Sequence, residues 1–345
     1  MGMKKLAALV MALVLCLTAT GAMAAEAKIG NVEYDTVNNA FADAEVGDTI
    51  TLLNNVTYTV PDSGSVRYPT KASIIDLNDY KLTIDDASST KFGDLRFGTT
   101  EFKNGTIEIA SGFKPSTALF YMFSNEVLTF NNVTINASNM TGTYLFDLEG
   151  NAECHIKDSE IILNNCEATA FAHNGSTGGY TIDNSKISAD NCGTVLYGGN
   201  YNIKNNSMID VKNSTEGTKS ASVVLDNSTI NVEDTNAAVV LLNDTFVLQN
   251  KAKLIAKNCN DDVKLYGGNY TGEISADATC TFSARVGEGV VNNVDPAAYP
   301  PVPAAVNGAV EELPKTGDNS HLLFFAALLA ISAAGLMVVR GKSEN

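Results

Sequence analysis

The chain has 345 residues, no tryptophan, and 39 acidic against 23 basic residues, a formal net charge of −16. Such an acidic surface repels nucleic acid and anionic membranes, so neither is expected as a partner. Asn, Thr, Asp, Gly and β-branched residues dominate, which is the composition of strands and turns. In chain order, Lys4 and Lys5 precede an apolar stretch from Leu6 to Leu17 and an A-x-A site at Ala22-Met23-Ala24. This pattern is expected of a secretory signal peptide over residues 1–24, removed on export and no part of the fold. Val32 to Asp35 then reads as a strand. Thr36 is placed to cap a short helix through Ala44 that buries Val37, Ala40, Phe41 and Ala44. Gly47-Asp48 turns into a second strand, Thr49 to Leu53.

The body that follows, residues 25–290, is a repeat. An apolar anchor stands two places before Asn or Asp, with further apolar residues behind it. The anchors are Phe102, Phe130, Ile156, Ile182, Ile203, Leu225 and Leu248, at intervals of 28, 26, 26, 21, 22 and 23 residues. A drifting period near two dozen, made of short alternating segments, is the mark of a solenoid built from strands rather than helices. Alternation makes Ile107, Ile135, Ile161, Ile187, Ile209, Ile230 and Leu254 one inward column. Ile109, Ala137, Leu163, Ala189, Val211, Val232 and Ala256 form a second. The Asn column belongs at a bend, because Asn tolerates left-handed backbone and bonds neighbouring backbone groups. A β-sandwich array would repeat at about 80–100 residues instead.

This pattern resembles the right-handed parallel β-helix of pectate-lyase-like proteins and of many bacterial surface proteins. The strand, helix and Gly-Asp-Thr-Ile-x-Leu opening resembles the first coil of clostridial-type β-helical surface proteins. The resemblance implies an all-β rod of about ten coils, with the short helix covering an end whose core and strand edge would otherwise be exposed.

A second strand per coil carries Leu119, Leu145, Ala170, Leu196 and Leu265 in one column and Phe120, Phe146, Phe171, Tyr197 and Tyr266 in the next. If the first column is internal, the five rings line an outer face and form a flat track for sugar rings or for a protein. If the rings point inward, they are core. Two Tyr-Gly-Gly-Asn-Tyr copies, at 197–201 and 266–270, read as turns. Cys16 leaves with the signal peptide, so five cysteines remain and cannot all pair internally. Cys166, Cys192 and Cys259 share one place in their coils with Ser214 and Thr235. They form either a ladder of small buried residues or, at Cys166 and Cys192, a pair within disulfide reach. His155 and His173 read as turn residues, and no spacing supports a zinc site or another cofactor. The body has three arginines, Arg67, Arg96 and Arg285, on different coils. Its adjacent carboxylate pairs, Asp85-Asp86 and Asp261-Asp262, point to opposite faces of a strand. Neither a lyase nor a glycosidase signature is visible, so catalysis is not expected.

Residues 291–312 are rich in Pro and Ala and suit an extended, semi-rigid spacer. Residues 313–345 close the chain with Leu313-Pro314-Lys315-Thr316-Gly317, an apolar run over 322–339, and then Arg340 and Lys342. The run is long enough for a transmembrane helix, and the basic end holds it at the cytoplasmic side. Motif, span and basic end in this order resemble the sorting signal of Gram-positive surface proteins. That resemblance implies sortase as a partner and cleavage between Thr316 and Gly317. The Thr316 carboxyl then passes to an amino group of the peptidoglycan precursor, after transient anchoring in the membrane. The expected product is a wall-anchored adhesin or display module that binds glycan or protein through one lateral face. A polysaccharide-active enzyme and a purely structural coat protein are the competing functions.

Overall fold

From Thr49 onward the period-two segments become strands that pair in parallel with the equivalent strand one repeat later, while Ala27–Ile29 before them pairs antiparallel with Val32–Tyr34 and Thr49–Leu52. In a computed structural model, these are described over residues 24–300, except 61–65, 68, 87–93, 112, 114, 116, 142, 168 and 176. The expected signal peptide, most of the spacer, the sorting motif Leu313–Gly317 and the apolar run 322–339 lie outside the described residues.

The strands stack into a parallel β-solenoid of about nine turns, with three strands per turn. Strands before the Asn bend form a first sheet, for example Glu153–Lys157 and Gly179–Asp183. Strands after it form a second, for example Glu160–Asn164 and Lys186–Asp190. In two turns the strand runs through the bend without a break, as Thr100–Ile109 and Val127–Ser138, which joins both sheets into one of 21 strands. The third sheet has nine strands, among them Ala118–Met122, Tyr144–Glu149, Thr169–Asn174 and Thr194–Tyr197.

The expected columns are the observed register. Ile107, Ile135, Ile161, Ile187, Ile209, Ile230 and Leu254 pair in succession and are buried. So are the anchors from Phe102 to Leu248. Parallel strands about 4.8 Å apart bring each side chain onto its equivalent, so like stacks on like and the core is continuous along the axis.

The bends are made by asparagine. Asn104, Asn132, Asp158, Asn184, Asn205, Asn227 and Asn250 all have φ between 46° and 58°. At this bend, amides and carboxylates link successive turns, as from Asn132 Nδ2 to Asn104 Oδ1 at 3.2 Å and from Asn184 Nδ2 to Asp158 Oδ1 at 2.6 Å. Behind this bend runs a buried serine ladder. The Ser185 hydroxyl accepts from the Ser159 amide at 3.0 Å and donates to the Asp183 carbonyl at 2.7 Å. Ser207 and Ser228 continue the pattern. A second left-handed column, from Asn139 to Asn258, makes the next corner. Cys166, Cys192, Ser214, Thr235 and Cys259 follow it. The ladder is the arrangement found there: all five cysteines of the described residues are free thiols. The Ser214 hydroxyl accepts from the Cys192 amide at 3.1 Å, and Thr235 Oγ1 lies 3.2 Å from Cys259 Sγ.

The first turn is closed by the helix α1, Val37–Asp43, whose Thr36 cap accepts from the Asn39 amide at 3.2 Å. Val37, Ala40, Phe41 and Ala44 are buried, and Phe41 packs on Tyr58 with ring centroids 5.0 Å apart. At the other end the solenoid runs past residue 290. The strand Val291–Val294 pairs with Gly272–Ala276, so the first residues expected in the spacer belong to the body.

Candidate ligand-binding face

The third sheet breaks the alternation on which the aromatic column was read. Its hydrogen-bonded register couples Ala118 to Tyr144 and Phe120 to Phe146, and steps over Leu119 and Leu145. Leu119 and Phe120 both enter the core, as do Leu145 with Phe146, Ala170 with Phe171, and Val195 with Leu196. Two successive inward residues require a local bend of the strand, and strict period two holds only along a straight one. Both columns are therefore internal over these turns.

Of the two alternatives for Phe120, Phe146 and Phe171, a stacking face or core, the structure has the core: each ring is fully buried. The rings stack on one another, at 4.9 Å from Phe120 to Phe146 and 5.0 Å from Phe146 to Phe171. Tyr197 is not in their column at all. Leu196 pairs with Phe171, and Tyr197 pairs with Ala172 on the outer side. Tyr266 lies beyond the last paired residue of its strand and is 56 % exposed.

The outer face consists of two rows that flank the inward pair. One row runs Tyr121, Asp147, Ala172, Tyr197, Lys219, Val240 and Lys264. The other holds Tyr144, Thr169, Thr194, Glu216 and Asp261. Contacts across three positions tie the rows together, from Lys219 Nζ to Glu216 Oε1 at 3.3 Å and from Lys264 Nζ to Asp261 Oδ2 at 2.8 Å. Seven strands from Ala118–Met122 to Asp261–Leu265 give a face about 29 Å long. Tyr121, Tyr144 and Tyr197 are half-buried along it. Tyr266 and Tyr270 stand at one end, their rings 5.7 Å apart, with Lys219 Nζ 5.2 Å from the Tyr266 ring.

At the other end is an aromatic and charged cluster. The Arg96 guanidinium lies 4.6 Å from the centre of the Phe123 ring, and its Nε donates to Glu126 at 2.7 Å. Phe123 packs edge-on against Tyr121 at 5.2 Å. Asp94 accepts from the Thr117 and Ala118 amides at 2.7 and 3.1 Å. Between these groups Asp147 is 1 % exposed. Burial, reinforced by Glu149 and Asp94, pushes its carboxyl up to about 7. The phenols of Tyr121 and Tyr144 are also raised, first by burial and then by the surrounding carboxylates.

Sequence reasoning missed this cluster. A signal was present in the frame with two small or apolar residues between polar or aromatic ones: Tyr144-x-x-Asp147, Thr194-x-x-Tyr197 and Glu216-x-x-Lys219. It has the spacing of the observed rows.

The remaining candidates are structural. In the first Tyr-Gly-Gly-Asn-Tyr copy, Gly198 and Gly199 have φ of 65° and 57°, and a Cβ on Gly199 would sit 2.0 Å from His173 Nδ1. Tyr201 is buried, and its hydroxyl donates to the Phe171 carbonyl at 3.0 Å. The second copy displays both of its tyrosines. His173 is not the turn residue expected: it is buried within a strand, Nε2 lies 3.1 Å from the Gly150 carbonyl, and Nδ1 accepts from the Asn200 amide at 3.3 Å. His155 is bound to Glu153 at 3.0 Å. Asp261 and Asp262 do point apart, and Arg285 binds the buried Asp262 through its amide, Nε and Nη2 at 2.7, 3.1 and 2.9 Å. No grouping suited to a metal ion occurs among the described residues.

Residues 305–345 match the family model of the LPXTG cell wall anchor motif. No curated protein and no solved structure matches the chain. The motif implies sortase processing and covalent attachment, so the chain is a cell-wall-anchored surface protein with a β-solenoid body.

Proposed function

We propose that the body is a non-catalytic adhesion module that binds a linear glycan along the outer face of the third sheet. One observation carries this reading: the half-buried rings of Tyr121, Tyr144 and Tyr197 and, on later strands, the charged pairs Glu216–Lys219 and Asp261–Lys264 line one outer face about 29 Å long. Rings cover the apolar faces of sugars, while Thr169, Glu216, Lys219 and Asp261 are placed to bond hydroxyl groups. The sorting signal attaches Thr316 to the wall after cleavage before Gly317, following export by the N-terminal signal and a transient stay in the membrane.

Two substitutions test the face. Tyr144→Ala with Tyr197→Ala is expected to weaken retention on immobilised polysaccharides at least tenfold, with circular dichroism unchanged. Equal retention, or wild-type binding to matrix proteins and to no glycan, overturns it. Anchoring is tested by Thr316→Ala, which is expected to make the protein extractable from walls by detergent; unchanged resistance refutes sortase attachment.

A polysaccharide-active enzyme is the second reading, and Asp147 favours it, because a carboxyl near 7 beside Glu149 and Asp94 suits proton transfer. Depolymerisation of an acidic polysaccharide by wild type and not by Asp147→Asn would establish that reading in place of adhesion.

A further inference from the structure

We propose that Asp147 is a pH-sensitive latch on the outer face of the third sheet: its neutral form lies under a closed cover of tyrosines, and its ionised form displaces that cover. The latch does not depend on what the face binds.

The argument begins with geometry. Asp147 points outward from the middle of Tyr144–Glu149, on the solvent side of the sheet, yet is 1 % exposed. Tyr121 is its direct neighbour in the row, Tyr144 shares its strand, and Tyr197 follows two strands along. Its hydrogen bond from Asn174 Nδ2 is long, at 3.4 Å. A charge in that position needs a cation or several donors, and among the described residues no ion pair reaches it.

The groups that face it oppose ionisation. Glu149 lies two residues along the same strand, and Asp94 comes from two turns before, on the strand beside that of Tyr121; both add negative charge. Tyr180 and Tyr201, from the first sheet, are buried phenols that Asp147 itself helps keep protonated. On the Tyr121 side the cation is Arg96, which is committed to Glu126 and Phe123. On the Tyr197 side the next cation, Lys219, is held by Glu216. No ion pair reaches Asp147 among the described residues.

The sign of the effect follows. The folded value, about 7, lies above the ordinary 3.8, so folding retains a proton that the unfolded chain has released. The stabilisation is complete below the ordinary value and is lost as pH rises toward 7. Above that, three carboxylates share one poorly hydrated site. Tyr121 and Tyr144 lie close enough for the Asp147 charge to act on their phenols, so hydration of an ionised Asp147 is expected to move them.

The test uses detergent-solubilised full-length protein. At pH 6 an infrared band of a protonated carboxyl is expected, disappearing with a midpoint near 7. The chain has no tryptophan, so near-ultraviolet circular dichroism reports mainly tyrosine and is expected to change at the same midpoint. The melting temperature of wild type relative to Asp147→Asn is expected to fall by several degrees between pH 5 and 7 and then level off. The proposal is overturned if no protonated carboxyl titrates near 7. It is also overturned if the band titrates while the tyrosine signal stays constant, or if the difference in melting temperature is flat. The two spectroscopic readings need no variant, so a misfolded Asp147→Asn leaves the question decidable.

Discussion

Replacing Phe146 by Ala separates a core ring from a binding ring more sharply than any other single change. The side chain is fully buried, stacks between Phe120 at 4.9 Å and Phe171 at 5.0 Å, and meets the edge of Phe130 at 5.7 Å. Removing a buried Phe costs about 3–5 kcal/mol in lost transfer energy and cavity formation. Each ring pair contributes about 0.5–1.5 kcal/mol beyond its buried area. The stacked neighbours belong to adjacent turns and cannot close the gap without breaking the parallel ladder, so collapse is limited and the upper end of about 5 kcal/mol is expected. Chemical denaturation followed by far-ultraviolet circular dichroism measures the loss. Tyr266→Ala is the control, since its ring is 56 % exposed and its removal should change stability by no more than about 0.5 kcal/mol. A loss below about 1 kcal/mol for Phe146→Ala, with weakened ligand binding, would mean that the ring faces solvent and that the assigned register of the third sheet is wrong.

Other expectations follow from single hydrogen bonds and charges. Ser185→Ala leaves the buried Ser159 amide without its acceptor and is expected to cost about 1–3 kcal/mol in the same assay. Thr218→Val should instead stabilise by about 1 kcal/mol, because the Thr218 hydroxyl is buried without a partner in a column between Leu196 and Val239; a loss of stability would refute that. Acid should loosen the last turns. Burial raises the Asp262 carboxyl, but the bonds from Arg285 outweigh it and hold the group below its ordinary 3.8. Its stabilisation is present above that value and lost as pH falls below about 4. Asp262→Asn should therefore remove part of the acid-induced fall in melting temperature, and an unchanged acid limb would argue against the Arg285 contact.

Much of this architecture was legible before any coordinates. The columns headed by Ile107 and Phe102 were readable because a parallel stack places equivalent residues on top of one another, and selection for an apolar core then repeats itself along the chain. The bend at Asn184 was readable because few residues accept left-handed backbone. The helix at Thr36–Ala44 announced itself by its cap and its apolar stripe. Phe146 and Asp147 were not readable. Their directions depend on a bend after Leu145 that puts two neighbours inward, and alternation cannot register it. The environment of Asp147 depends on Asp94, Tyr121 and Asn174, which come from three other turns.

The amino-acid sequence by itself therefore determined a wall-anchoring tail and a β-solenoid body, because both are written in local order and in repeats. Only the tertiary structure decided which side chains of the third sheet point outward and which carboxyl is buried there. A side chain's outward direction is set by the local path of its strand, and its ionisation by neighbours that only stacking brings together.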